Sequence, residues 1–242
     1  MLDRAFWGGL YTLQALLLWF VRRTPLIYSF TAESKLSELV EQYRREMRIR
    51  GGRCYIIGKG PSLDWVSTGD LEDGLRLCIN NSFVAISNPD LVFIHDDHML
   101  AFAPDIFATG AKLVIPNDLN LTSGRRLLVE EFKKHKFDDK CFYYLCRKFH
   151  PLRGGNLDDN SLWTMSGTVH SAISFAEKIG AKQICFVGID GGGYDDRYFA
   201  ANFDQNKCSF RHRMIYRKIR FDCAVLCRYL GIDYSFMGDE HR

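Results

Sequence analysis

From Arg53 onward the chain alternates short apolar runs with stretches of helical periodicity, and this alternation constrains the fold more than any other feature. Strands buried on both faces read as continuous apolar runs, and parallel neighbours need a crossover long enough to hold a helix. The expected strands are Cys54–Ile57, Leu75–Ile79, Leu91–Ile94, Lys112–Ile115, Phe142–Leu145, Gln183–Gly188 and Asp233–Phe236. The expected long helices are Leu121–His135, Gly167–Ile179 and Met214–Leu230. Such an order predicts an α/β, Rossmann-like fold, a mostly parallel sheet with helices on both faces. A chain of 242 residues, 47% of them apolar, can bury one substantial core of this kind. Residues 53–242 are therefore expected to form one domain.

Residues 1–52 read differently. Ala5 to Val21 carries no charge and closes against Arg22 and Arg23. A helix of about 17 residues, rising roughly 1.5 Å per residue, falls slightly short of a hydrocarbon core of roughly 30 Å. No small-residue cleavage site follows it, so a signal peptide is not expected. Trp7, Tyr11 and Trp19 suit the headgroup level, and Arg4, Arg22 and Arg23 suit an anionic leaflet. The expectation is a peripheral anchor on the inner, cytoplasmic face of a membrane. The alternative is an apolar helix packed on the chain's own core or on a second subunit of a homo-oligomer. Glu33 to Arg48 places Leu36, Leu39, Val40 and Tyr43 at helical spacing, an amphipathic connector ended by Arg50-Gly51-Gly52.

The balance of 32 basic and 29 acidic residues is too even for a nucleic-acid binder. Eight cysteines, at positions 54, 78, 141, 146, 185, 208, 223 and 227, form no C-x-x-C pair, and several lie inside apolar runs. They read as reduced core residues of a cytosolic protein. Cys223 and Cys227 can share a helix face, but zinc needs two further ligands.

In open α/β sheets, ligands bind at the carboxyl ends of strands, so those ends are where chemistry is expected. The first carries Gly58-Lys59-Gly60-Pro61-Ser62, whose glycines permit positive φ and let free amides approach a phosphate. The second carries Asn80 and Asn81, able to donate to and accept from a base or ribose. The third carries His95-Asp96-Asp97-His98, able to hold a divalent metal or position hydroxyls, or else simply a solvated loop. Ser166-Gly167 opens a helix, where Ser166 can cap it and free amides can receive an anion. Asp190, followed by three glycines, ends an apolar strand and can bind ribose hydroxyls or form a turn.

Taken in order, Ile56-Ile57-Gly58-Lys59-Gly60-Pro61-Ser62-Leu63, Ile79-Asn80-Asn81, Ser166-Gly167 and Gly188-Ile189-Asp190 resemble the bacterial lipooligosaccharide sialyltransferases and the related sialyltransferase-like domains of flagellin-modifying proteins. The resemblance covers roughly residues 54–234 and implies a mobile lid, around residues 191–213. It implies an inverting glycosyltransferase of lipopolysaccharide-type surface glycans, using a CMP-activated sugar and no essential metal or cofactor. By the same resemblance, Gly58, Lys59, Gly60, Pro61, Ser62 and Asn80 face the donor nucleotide, Ser166 and Gly167 its phosphate or the sugar carboxylate, and Asp190 the cytidine ribose. His95 stands where the family often has asparagine. Tyr198, with Tyr194 as second candidate, matches the tyrosine that supports the leaving phosphate, and His212 matches a lid histidine acting as general base. Trp163 stands where the family tends to place an arginine, so the implied donor is sialic acid or another nonulosonic acid, and the acceptor a glycan or glycolipid.

Two other functions fit parts of the pattern. The Gly-x-Gly-Pro-Ser-Leu start also resembles pterin diphosphokinase-like enzymes, which use ATP and magnesium; Asp96, Asp97 and Asp190 would then be metal ligands. A non-catalytic nucleotide-binding, membrane-associated protein would keep the fold without turnover.

Overall fold

The structure is a computed structural model, and it describes residues 35–95, 102–116, 140–149, 157–165, 167–191, 200–201, 203 and 210–237. All described residues belong to one compact unit, Thr31–Arg242. Its strands are β1 (Arg53–Ile57), β2 (Leu75–Ile79), β3 (Leu91–Phe93), β4 (Lys112–Pro116), β5 (Cys141–Lys148), β6 (Ser161–Thr164), β7 (Gln183–Val187) and β8 (Asp233–Phe236). They form one eight-stranded sheet in the order β6-β5-β4-β3-β2-β1-β7-β8, and every pairing is parallel. This is the α/β, Rossmann-like arrangement expected from the alternation. The helices are α1 (Leu36–Ile49), α2 (Ala103–Ala108), α3 (Thr168–Lys178) and α4 (Phe210–Leu230).

The side-chain alternation of each strand divides the core. Cys54 and Ile56 of β1 lie in register with Leu75 and Leu77 of β2, and with Ile184 and Phe186 of β7. These residues share one buried cluster with Phe93, Val114 and Tyr144 and with the inward faces of α1, α3 and α4. The alternate positions, among them Ile57, Cys78, Val92 and Leu113, are equally buried but turn to the other face. Three short 3-10 segments, Pro61–Trp65, Thr68–Leu71 and Asn80–Ala85, join β1 to β2 and β2 to β3, and the last of them packs against β2 and β3.

Helix α3 is the centre of the assembly. Residues 168–176 are buried without interruption, so this helix is enclosed on every side instead of showing a solvent stripe. It packs against β1, β2, β3 and also β6, and the Trp163 amide of β6 donates to the Ser174 hydroxyl at 2.9 Å. Burial of Val169, Ile173 and Phe175 contributes roughly 1.5–3 kcal/mol each. Helix α1 adds Leu36, Leu39, Val40, Tyr43 and Met47 to the same core. It ends where Gly51 and Gly52 take φ of 67° and 85°, the Gly52 amide returning to the Met47 carbonyl.

Several expectations are adjusted. The four-residue edge strand β6 was not anticipated, because Ser161-Leu162-Trp163-Thr164 carries no periodic signature of its own; its pairing with β5 makes it a strand. The N-cap of α3 is Gly167, which provides no side-chain cap; Ser166 lies outside the described residues. Helix α4 begins at Phe210, not Met214, since nothing in Phe210-Arg211-His212-Arg213 breaks a helix. The expected helix Leu121–His135 and the apolar segment Ala5 to Val21 lie outside the described residues, as do Asp96 and Asp97. Among the described residues, no helix is long and apolar enough to cross a membrane.

Candidate functional site

Strand β1 has β2 on one side and β7 on the other. The chain leaves β1 towards β2 and leaves β7 towards β8, so the two connections diverge at the carboxyl ends of this central pair, the place where open α/β sheets form their ligand crevice. The turns after β1 and β7 meet there. The Gly58 amide donates to the Val187 carbonyl at 2.7 Å, and the Gly60 amide to the Gly188 carbonyl at 2.8 Å. The Ser62 amide donates to Asp190 Oδ2 at 2.9 Å, and the Gly188 amide to the Ser62 hydroxyl at 2.8 Å.

This geometry changes the reading of the glycine turn. The amides of Gly58, Gly60 and Ser62 are donated to the neighbouring crossing instead of lying free for a phosphate. Nor is Gly60 required by positive φ: it has φ −68° and ψ 165°, which any residue adopts. Both glycines are small because the two crossings touch. A Cβ on Gly58 would lie 2.5 Å from the Gly188 carbonyl oxygen, and one on Gly60 would lie 2.2 Å from Asp190 Oδ2. Asp190 is 6% exposed, a carboxylate that fastens the turn from within.

The end of β2 is tied to the same place. The Ser82 hydroxyl donates to the Ile57 carbonyl at 2.7 Å and accepts the Ile79 amide at 3.0 Å. Asn80 takes φ 52°, a conformation asparagine tolerates better than most residues. Its Oδ1 accepts the His95 amide at 3.4 Å, linking the ends of β2 and β3.

His95 is buried, and its ring reaches across the sheet to β5. Its Nε2 meets the Tyr144 hydroxyl and lies 3.4 Å from the Ser171 hydroxyl of α3. An imidazole, a phenol and a hydroxyl can pass a proton among themselves or fix one tautomer. Tyr144 and Ser171 were missed from the sequence, since one lies in an apolar strand and the other in an apolar helix. The available signal was the run His170, Ser171 and Ser174 inside an otherwise apolar helix, where buried polar groups need partners.

Gly167 and the first turn of α3 lie beside His170, whose Nδ1 is 3.2 Å from the Gly167 carbonyl. Burial lowers the pKa of this imidazole to about 4, against the Gly167 carbonyl and Asp222, which raise it, and with Lys218, which lowers it further. The Lys59 carbonyl accepts the Ala200 amide at 2.7 Å, and Asp64 accepts that of Ala201 at 2.8 Å, so the chain beyond β7 returns over the first turn. The backbone of His212 belongs to the first turn of α4 and not to the loop ahead of it. Its side chain lies outside the described residues, as do Tyr194 and Tyr198. Among the described residues, no group of three or more His, Cys, Asp or Glu is placed to hold a metal ion.

A separate hollow of about 600 Å³ lies along the sheet, lined from β1, β7 and β8 by residues including Arg53, Tyr55, Gln183 and Ser235. Arg53 and Gln183 open their strands, so this hollow extends to the amino end of the sheet, opposite the crevice. No protein-family model matches the chain, and no curated protein matches it.

Proposed function

We propose that this chain is an inverting glycosyltransferase that takes a sugar, sialic acid or another nonulosonic acid, from a CMP-activated donor and passes it to a surface glycan or glycolipid. The observation supporting this reading is the meeting of the Gly58–Ser62 and Gly188–Asp190 crossings at the β1/β7 switch point, with Asn80 and His95 at the neighbouring strand ends. Ligands of open parallel sheets bind at such a point. Because the turn amides are committed, donor recognition falls to side chains: Lys59 towards phosphate, Asn80 towards the nucleoside. Asp190 positions the turn that carries Lys59. His212 is proposed as the base that takes the acceptor hydroxyl proton, while Tyr198, or Tyr194, donates a hydrogen bond to the departing CMP phosphate.

A thermal-shift panel of CMP, CDP, UDP, GDP and ATP, with and without magnesium, tests the donor. A ligand at about 100 times its Kd stabilises the folded state by roughly 2.7 kcal/mol. The expected outcome is preferential stabilisation by CMP without metal, weakened in Lys59→Ala and Asn80→Ala. A response confined to ATP with magnesium would refute the proposal. With a donor in hand, His212→Ala should lower turnover roughly 10²–10⁴-fold while CMP binding persists.

A further inference from the structure

Helix α4 presents an outer face of unusual composition. Four of its exposed residues are large and apolar or aromatic: Met214, Ile215, Phe221 and Tyr229, at 52%, 42%, 65% and 46% exposure. Among the described side chains of the helix, the other exposed positions, Arg217, Lys218 and Arg228, are all cations. At 100° per residue, all of these fall within an arc of roughly 160°: Arg217 and Arg228 line one edge, Phe221 and Met214 come next, then Lys218 and Tyr229, with Ile215 at the other edge. The stretch from Met214 to Tyr229 is roughly 22 Å long. The opposite side of the helix, through Cys223, Leu226 and Cys227, is locked into the core, so the helix is held rigidly with this face outward.

Charge on the face has one sign. The only acid in α4 is Asp222, which is buried and bonded to Lys218. Arg217 makes no ion pair among the described residues, and Arg228 turns its guanidinium towards the Tyr234 hydroxyl and ring. A solvated helix face would carry mixed charges and few large apolar groups. Apolar and aromatic tips interleaved with cations across one arc, with no exposed acid, instead match a helix lying in a bilayer interface. Its tips enter the acyl boundary while its cations meet anionic headgroups.

We propose that the outer face of α4, which carries Met214 and Phe221 and is lined along one edge by Arg217 and Arg228, docks on an anionic lipid surface. The proposal stands whatever the donor specificity of the crevice. The full chain is tested by co-sedimentation with vesicles of phosphatidylcholine alone and of phosphatidylcholine with about one-third phosphatidylglycerol, a content at which polybasic surfaces respond. Expected are stronger binding to the anionic vesicles, at least about tenfold weaker binding of Met214→Ser/Phe221→Ser, and loss of the anionic preference in Arg217→Gln/Arg228→Gln. The Phe221→Trp variant reports position directly: brominated lipid should quench its fluorescence beyond the quenching of the parent chain. Unchanged thermal midpoints of the Ser and Gln pairs would confirm that folding is intact. The proposal is overturned if the chain ignores anionic vesicles, if both pairs bind like the parent, or if the Phe221→Trp variant shows no added quenching. It is equally overturned if the pairs abolish self-association instead of vesicle binding, which would make the face a protein interface.

Discussion

The Asp190 carboxylate accepts the backbone amide of Ser62 at 2.9 Å across 128 residues of sequence, while the Ser62 hydroxyl accepts the amide of Gly188. The two crossings at the switch point thus hold each other from both sides. Removing the carboxylate leaves a buried amide without its acceptor. Asp190→Ala should therefore cost roughly 1.5–3 kcal/mol, and Asp190→Asn, which keeps an acceptor oxygen, about 1 kcal/mol. Denaturant titration of the variants measures both.

Gly60 is constrained by contact and not by backbone angle. Gly60→Ala drives a Cβ towards Asp190 Oδ2 and the Gly188 carbonyl, which should destabilise by roughly 1–3 kcal/mol. Truncating Asp190 removes the nearer obstacle. The Gly60→Ala/Asp190→Ala pair should then be more stable than the sum of the single losses, with a coupling of roughly 0.5–3 kcal/mol. A strictly additive double-mutant cycle would show that the clash is relieved elsewhere.

His170 gives the fold a pH dependence of definite sign. Its folded pKa, about 4, lies below the reference 6.5 because burial disfavours the imidazolium. The unfolded chain therefore binds more protons between these values. Stability from this residue is fully present above about pH 6.5 and falls as the pH drops towards 4, by roughly 3 kcal/mol in all. His170→Gln should flatten this segment of the curve, measured as urea midpoints from pH 7 to pH 4.

Asp90 joins α1 to the amino ends of the interior strands β2 and β3. Its carboxylate accepts the Arg76 amide at 2.8 Å and the guanidinium groups of Arg50 and Arg76 at 3.3 Å, and its carbonyl accepts the Tyr43 hydroxyl. Asp90→Ala strands two half-buried guanidinium groups and should cost roughly 3 kcal/mol. Arg76→Lys, which cannot reproduce the planar fork, should lose part of this. Thermal unfolding followed by circular dichroism separates the two.

Thiol chemistry reports on the core. Burial raises the Cys78 and Cys227 thiols to about 12 and pushes Cys54 and Cys223 up as well. These four should resist alkylation until the chain unfolds, while half-buried Cys146 and Cys185 react first. Peptide mapping after timed labelling assigns each.

Seven of the eight strands were legible, most of them as local apolar runs: Leu75–Ile79 falls where the sequence alone places it, as does the more polar Asp233–Phe236, whereas β6 gave no such signal. The amphipathic spacing of Leu36, Leu39, Val40 and Tyr43 likewise marked α1, and the glycine turn after β1 was visible as a turn. Local windows carry such information because helix and strand periods repeat within a few residues. They do not carry partnership. That β7 returns beside β1, that Gly60 is small because Asp190 presses against it, and that His95 meets Tyr144 and Ser171 are relations between residues 49 to 130 positions apart. Only packing around the enclosed α3 decides them, because each contact depends on where the sheet places a distant strand, and no single segment specifies that.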